Sequence, residues 1–258
     1  MKRLLIKDVM HGVLYEGKKS FVPYIMAGDG GLEQLIPRLE LLQNAGATMV
    51  EIGVPFSDPV ADGPVIQAAG LRALQAGTTL RAILDTLENV REKITIPLIF
   101  MTYLNPILSI GIESFAMKCK EIGIDACIIP DVPLEEEDEM KPILNNYGIA
   151  FIRLASLTSP PERLQQICEG AEGFLYAVTV KGVTGVRNEF EKNVESYLQN
   201  LKEMSQIPVL AGFGISTPEH VRNMIHVCDG VIVGSRIIQL LEMGAEEEIT
   251  HLIKALYE

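Results

Sequence analysis

The sequence predicts a (β/α)8 barrel, a TIM barrel, with one extra helical segment after the second strand. Two observations carry that expectation. Eight short apolar runs alternate with segments of helical periodicity along the chain. The runs are apolar throughout rather than at every second residue, as parallel strands covered on both faces must be. Eight such βα units in 258 residues fit a closed barrel, read here as one domain over 1–258. An open doubly wound sheet would usually carry fewer strands.

The elements follow in order. The first strand is read at 21–27 and its helix at 32–45, where Leu35, Leu39, Leu42 and Ala45 share one face. The second strand, 48–54, leads into a Pro/Gly-rich loop and the extra helical piece, 65–76, before a helix at 80–93. Strands at 97–103, 126–131 and 150–155 precede helices at 112–122, 135–147 and 161–169. The acidic run Glu135 to Glu139 opens one of these helices, complements its dipole and is expected to face solvent. The sixth strand is read at 173–180 with its helix at 194–205, and the seventh at 208–213 with its helix at 218–225. Thr217 is placed to cap that last helix, with Pro218 in its first turn. The eighth strand, 230–233, is followed by a helix at 244–257. Gly46, Gly123, Gly148 and Gly170 mark helix stops.

Bulk properties narrow the function. A net charge of -12 argues against nucleic acid or an anionic membrane surface as the main partner. Lys7 and Asp8 interrupt the first apolar run too early for a leader, and the apolar stretch 97–112 holds Asn105 and two prolines, so no membrane span is expected. Cys119, Cys127, Cys168 and Cys228 form no C-x-x-C pair, which points to buried reduced thiols and a cytoplasmic protein.

Barrel chemistry sits at the carboxyl ends of the strands, and the unusual residues fall there. Glu51 is an acid inside an apolar strand, a costly placement unless it is paired or used. Asp58 and Asp62 lie in the loop that follows. Tyr103 and Asn105 end the third strand, Asp131 ends the fourth, and Tyr176 lies in the sixth. Taken singly these have ordinary readings: Asp131 as a turn into the next helix, Tyr176 as a core ring. Their shared position at one barrel end points instead to convergence on a site. Glycine-bearing segments at 182–185, 212–216 and 234–236 suit phosphate, because glycine lets backbone N–H groups approach closely. His11, His220, His226 and His251 show no metal-ligand spacing, and no G-x-S-x-G elbow occurs. The residues therefore point to carboxylate acid/base catalysis on a small phosphate ester, without a metal.

The run Val50-Glu51-Ile52-Gly53-Val54-Pro55-Phe56-Ser57-Asp58-Pro59, with Ala61-Asp62-Gly63-Pro64, resembles the signature of the tryptophan synthase α subunit family. Phe21 to Tyr24, Met101 to Pro106, Asp131 to Pro133, Gly182 to Gly185 and Gly212 to Ser216 resemble further segments of that family in order and spacing. The resemblance implies a lyase that splits indole-3-glycerol phosphate into indole and glyceraldehyde 3-phosphate by retro-aldol cleavage. It implies Glu51 as the acid/base and Asp62 as the acceptor for the indole N–H. It gives Tyr176 a positioning role, and Tyr24, Tyr103 and Phe213 contacts with the substrate. Gly185, Gly214, Gly234 and Ser235 would hold the phosphate, and Thr184 would close over the substrate and help order Asp62. Asp58 would serve the contact with a β subunit in an α2β2 heterotetramer. Pyridoxal phosphate would belong to that partner, with no cofactor in this chain. A free-standing lyase that releases indole is the alternative. Three positions depart from the family pattern: Gly30 for proline, Thr179 for serine, and Arg236 for a small residue. Arg236 would either point away from the phosphate or reinforce its charge.

Overall fold

In a computed structural model of the chain, residues 4–179, 187–212 and 214–257 are described, 187–192 by their backbone alone. Nine parallel strands among them form one sheet: β1 (Ser20–Met26), β2 (Val50–Gly53), β3 (Leu98–Met101), β4 (Ala126–Ile128), β5 (Ala150–Ile152), β6 (Leu154–Ser156), β7 (Leu175–Val178), β8 (Val209–Gly212) and β9 (Gly230–Val233). Their order is β5-β4-β3-β2-β1-β9-β8-β7-β6.

The two ends of that order are neighbours in the chain. The run expected as one fifth strand is divided at Arg153, so that β5 pairs with β4 while β6 pairs with β7. The Arg153 carbonyl accepts from the Tyr176 N–H at 3.1 Å. The sheet is thus a nearly closed barrel whose last seam is made by a single residue. The Arg153 side chain anchors the seam. Its guanidinium donates to Glu137 on one side and to the carbonyls of Gln166, Ile167 and Glu169, at the end of the helix Pro161–Cys168, on the other. Glu137 is therefore only 5% exposed, which corrects the expectation that all the acids of its run face solvent.

Strand residues alternate between two apolar layers. Phe21, Ile25, Val50, Ile52, Phe100 and Leu175 pack outward under the helices. Val22, Met49, Ile99, Ile128, Phe174, Leu210 and Ile232 fill the interior. Burial of each such large side chain stabilises the fold by about 1.5–3 kcal/mol. The helix Ile6–Glu16, which sequence periodicity had not marked, adds Ile6, Met10 and Val13 to the interior layer and floors the barrel.

The extra segment after β2 is the helix Pro64–Gln75, whose Ala69 and Ala73 pack with Tyr24, Met26 and Ile238. Its position is locked by Arg72, which donates to both oxygens of Asp29 at 2.7 and 2.9 Å. Two further helices were not expected: Leu104–Ile110 after β3, and Ser235–Glu242 after β9.

Candidate active site

Glu51 lies on β2 with Tyr24 of β1 and Ile99 of β3 as its register partners. The period of two that sends Val50 and Ile52 outward sends Glu51 inward, where it is 1% exposed. Neither carboxyl oxygen has a hydrogen-bond partner among the described residues. Burial, and then the charge of Asp62, push its pKa up to about 8. At neutral pH the group is a carboxylic acid that holds a proton ready to give.

Asp62 sits in the loop between β2 and the helix Pro64–Gln75. Burial raises its pKa to about 6, against the opposing effect of a hydrogen bond from Tyr103. The Ala61 N–H in turn donates to the Tyr103 hydroxyl oxygen at 3.0 Å, and the Phe56 ring stacks on Tyr103 with centroids 5.0 Å apart. The end of β3 thereby holds the loop that carries Asp62. The pair has the form of an acid/base site: two carboxyls whose surroundings hold them in unlike states near pH 7.

Tyr24 and Tyr176 are both buried and face these carboxyls. Both rings lie where neighbouring strands carry glycine. A Cβ at Gly53 would fall 1.9 Å from the Tyr24 hydroxyl oxygen, and one at Gly212 would fall 2.4 Å from Tyr176 Cε1. Beside Asp62, over β4 to β6, opens a cavity of about 620 Å³ with apolar walls that include Ile129, Phe151, Leu154 and Val178. That size lies within the range of small-molecule sites.

The phosphate expectation has a physical basis at two of its segments. Gly214 is in the left-handed region at φ +81°. Gly234 precedes the helix Ser235–Glu242, whose first intrahelical bond runs from Ile238 N–H to the Gly234 carbonyl. The N–H groups of Ser235, Arg236 and Ile237 are thus left for an anion at that end. A Cβ at Gly234 would lie 3.3 Å from Ile66 Cδ1, so the extra helix packs tightly against this turn. Arg236 pairs with Glu248 at 2.9 Å, which settles its direction: towards the following helix. Thr184, Gly185 and Phe213 lie outside the described residues.

Asp58 is exposed in the loop after β2, where it accepts from the Ser57 hydroxyl at 2.6 Å. Asp131 is not part of the pair. Both its oxygens accept from the Leu104 N–H, at 3.0 and 3.2 Å, and cap the helix Leu104–Ile110. Its turn does lead towards a helix, but its carboxylate serves another one. Sequence reasoning passed over Asp29, whose signal was an acid set among Gly28, Gly30 and Gly31, and Arg153, a lone cation in an apolar strand.

A family model described as tryptophan synthase alpha chain matches residues 10–258. Tryptophan synthase alpha chains of Bacillus cereus and Bacillus mycoides are 55% and 54% identical over 239 and 242 residues, covering 93% and 94% of both chains. The tryptophan synthase subunit alpha of Legionella pneumophila str. Paris superposes with a TM-score of 0.86 at 34% identity, over 99% of this chain and 97% of that one. A structure of Mycobacterium tuberculosis tryptophan synthase does so with a TM-score of 0.88 at 28% identity and the same coverage. Matched almost end to end by sequence relatives and solved structures alike, the chain belongs to the tryptophan synthase alpha chain family.

Proposed function

We propose that Glu51 and Asp62 carry out the retro-aldol cleavage of indole-3-glycerol phosphate to indole and glyceraldehyde 3-phosphate, the lyase half-reaction of tryptophan synthase. The observation that carries this reading is the buried, unpartnered Glu51 carboxyl, kept protonated beside a carboxylate that ionises more easily. The indole ring leaves only after its side-chain-bearing carbon is protonated. Glu51 gives that proton. Asp62 accepts a hydrogen bond from the indole N–H and so stabilises the positive charge that develops on the ring. The Glu51 carboxylate then takes the proton of the adjacent side-chain hydroxyl. The carbon–carbon bond opens, its electron pair returns to the ring, the hydroxyl carbon becomes the aldehyde, and Glu51 is again protonated.

Tyr24, Tyr103 and Tyr176 flank the ring, with Phe213 completing the pocket. Gly214, Gly234 and Ser235 hold the phosphate with Gly185, and Thr184 closes the sixth loop over the substrate. Exposed Asp58 serves a β subunit that receives the indole, in an α2β2 assembly where pyridoxal phosphate belongs to the β chain. Family membership favours this two-component arrangement over a free-standing lyase. The four cysteines, none within a disulfide, fit the cytoplasm, and no helix among the described residues is long and apolar enough to cross a membrane.

The test is purified protein with indole-3-glycerol phosphate, assayed for indole with and without a β subunit. Indole release that rises on adding the β subunit is expected. No indole in either case overturns the reading, and full turnover without the β subunit overturns the two-component part of it.

A further inference from the structure

We infer that Arg72 is a positioning residue for the cleavage: through the helix Pro64–Gln75 it sets the spacing between Asp62 and the phosphate end of the site. The inference rests on the lyase reading above and gives a task to a residue that lies outside the site. One helix touches both ends. At its start, Asp62 stands two residues ahead of Pro64, and the Gln67 side-chain amide donates to the Asp62 carbonyl at 2.9 Å, so the Asp62 backbone moves with the helix. In its first turn, Ile66 lies against Gly234, the residue ahead of the helix Ser235–Glu242. Further along, Ala69 and Ala73 pack with Ile238, and Arg72 comes within 3.7 Å of Glu242. These contacts advance together along both segments, so the two helices run parallel. Their N-terminal ends meet on the same side, one beside Asp62 and one with N–H groups open to an anion.

Little in the packing itself fixes that spacing. The buried face of the helix is Ala69, Gly70 and Ala73, a smooth surface that lets backbones approach closely but offers few side chains to interlock along the axis. The lock is at the far end. Arg72 donates to both carboxylate oxygens of Asp29, at 2.7 and 2.9 Å, and such a fork fixes distance and direction at once. Asp29 is 7% exposed and sits in the loop after β1. Its carbonyl accepts from the Arg38 guanidinium, and a Cβ at neighbouring Gly28 would fall 2.1 Å from the Thr78 hydroxyl oxygen, so the anchor is itself held on both sides. The Glu242 contact is well exposed and adds little. Phosphate binding can orient the ring over Glu51 and Asp62 only while the two ends keep their spacing.

Arg72→Met keeps much of the side-chain length and removes the fork. The expected result is kcat/KM for indole-3-glycerol phosphate lower by about 10–100-fold, while glycerol 3-phosphate and indole, each reporting one end, bind within about 2-fold of the parent protein in equilibrium titrations. Arg72→Lys, a cation without the fork, should recover part of the loss. A residue that only stabilised the fold would lower the melting temperature and leave turnover of the folded protein as it was. Unchanged kcat/KM in the folded variant overturns the inference. So does weaker binding of either probe, which would make Arg72 a support for one end alone. If Arg72→Met does not fold, Asp29→Asn, which leaves one acceptor oxygen, is read by the same criteria. Glu51→Gln in the same assay separates the two claims: if it is inactive while Arg72→Met is normal, only the role of Arg72 fails. If Glu51→Gln turns over normally, the site itself fails.

Discussion

Glu51→Gln should make the folded protein more stable at neutral pH, and the gain should itself depend on pH. In the unfolded chain the Glu51 carboxyl titrates at its ordinary value of 4.5; in the fold it titrates at about 8. Between those values the folded state keeps a proton that the unfolded chain gives up. The unfolded state therefore binds fewer protons, and stability falls as pH rises through this window. For that single group the loss is below about 1 kcal/mol at pH 5 and about 4 kcal/mol at pH 7.5. A glutamine of nearly the same shape does not titrate, so its variant lacks that slope. Urea unfolding of both proteins at about pH 5 and about pH 7.5 measures the difference. The advantage of Glu51→Gln should grow by roughly 3 kcal/mol between the two conditions. Comparing across pH cancels the constant cost of burying an amide. Parallel stability–pH curves would show that Glu51 titrates normally in the fold, and the argument for a stored proton would collapse.

The same carboxyl pair sets three expectations for activity, and Arg153 sets one for the seam. Glu51→Gln should lower indole release by several orders of magnitude with the fold intact by circular dichroism, while Asp62→Asn should be severely impaired without being abolished. The pH profile of kcat/KM should be bell-shaped, with limbs near about 6, where Asp62 ionises, and about 8, where Glu51 gives up its proton. Profiles measured through that range with a rate still rising above the upper limb would contradict the assignment of Glu51 as the acid. Arg153→Met should cost about 3–5 kcal/mol in thermal or urea unfolding, because it leaves the buried Glu137 carboxylate without its main partner. A loss under about 1 kcal/mol would mean that the seam is held by backbone pairing alone.

Much of this architecture is written locally. A parallel strand must be apolar on both faces, so each expected strand announced itself, and Glu51 stood out because it violated that rule. The extra helix after β2 was legible from its own residues at 65–76; the structure adds Pro64 as its first residue. What escaped was decided by distant partners. The division of the fifth run at Arg153 depends on which neighbours close a barrel; within 150–155 its one sign is the lone cation itself. Glu137 reads as one solvent-facing acid among several until Arg153 is placed beside it. Asp131 looks like a site acid until the N–H of Leu104 is seen to occupy both its oxygens. The helix Ile6–Glu16 is amphipathic and short, and its burial becomes clear only when the barrel floor it covers exists.

The floor made by Ile6, Met10 and Val13 also governs traffic. With that helix as a stopper and Met49, Ile99 and Phe174 filling the interior layer it joins, the barrel is a cup rather than a pipe. Substrate and both products must cross the same rim. Indole cannot drain through the bottom, so its handover has to happen where the phosphate ester came in. A recipient must therefore seat on the rim itself and share it with the loops that admit the substrate. Entry and exit then share one doorway.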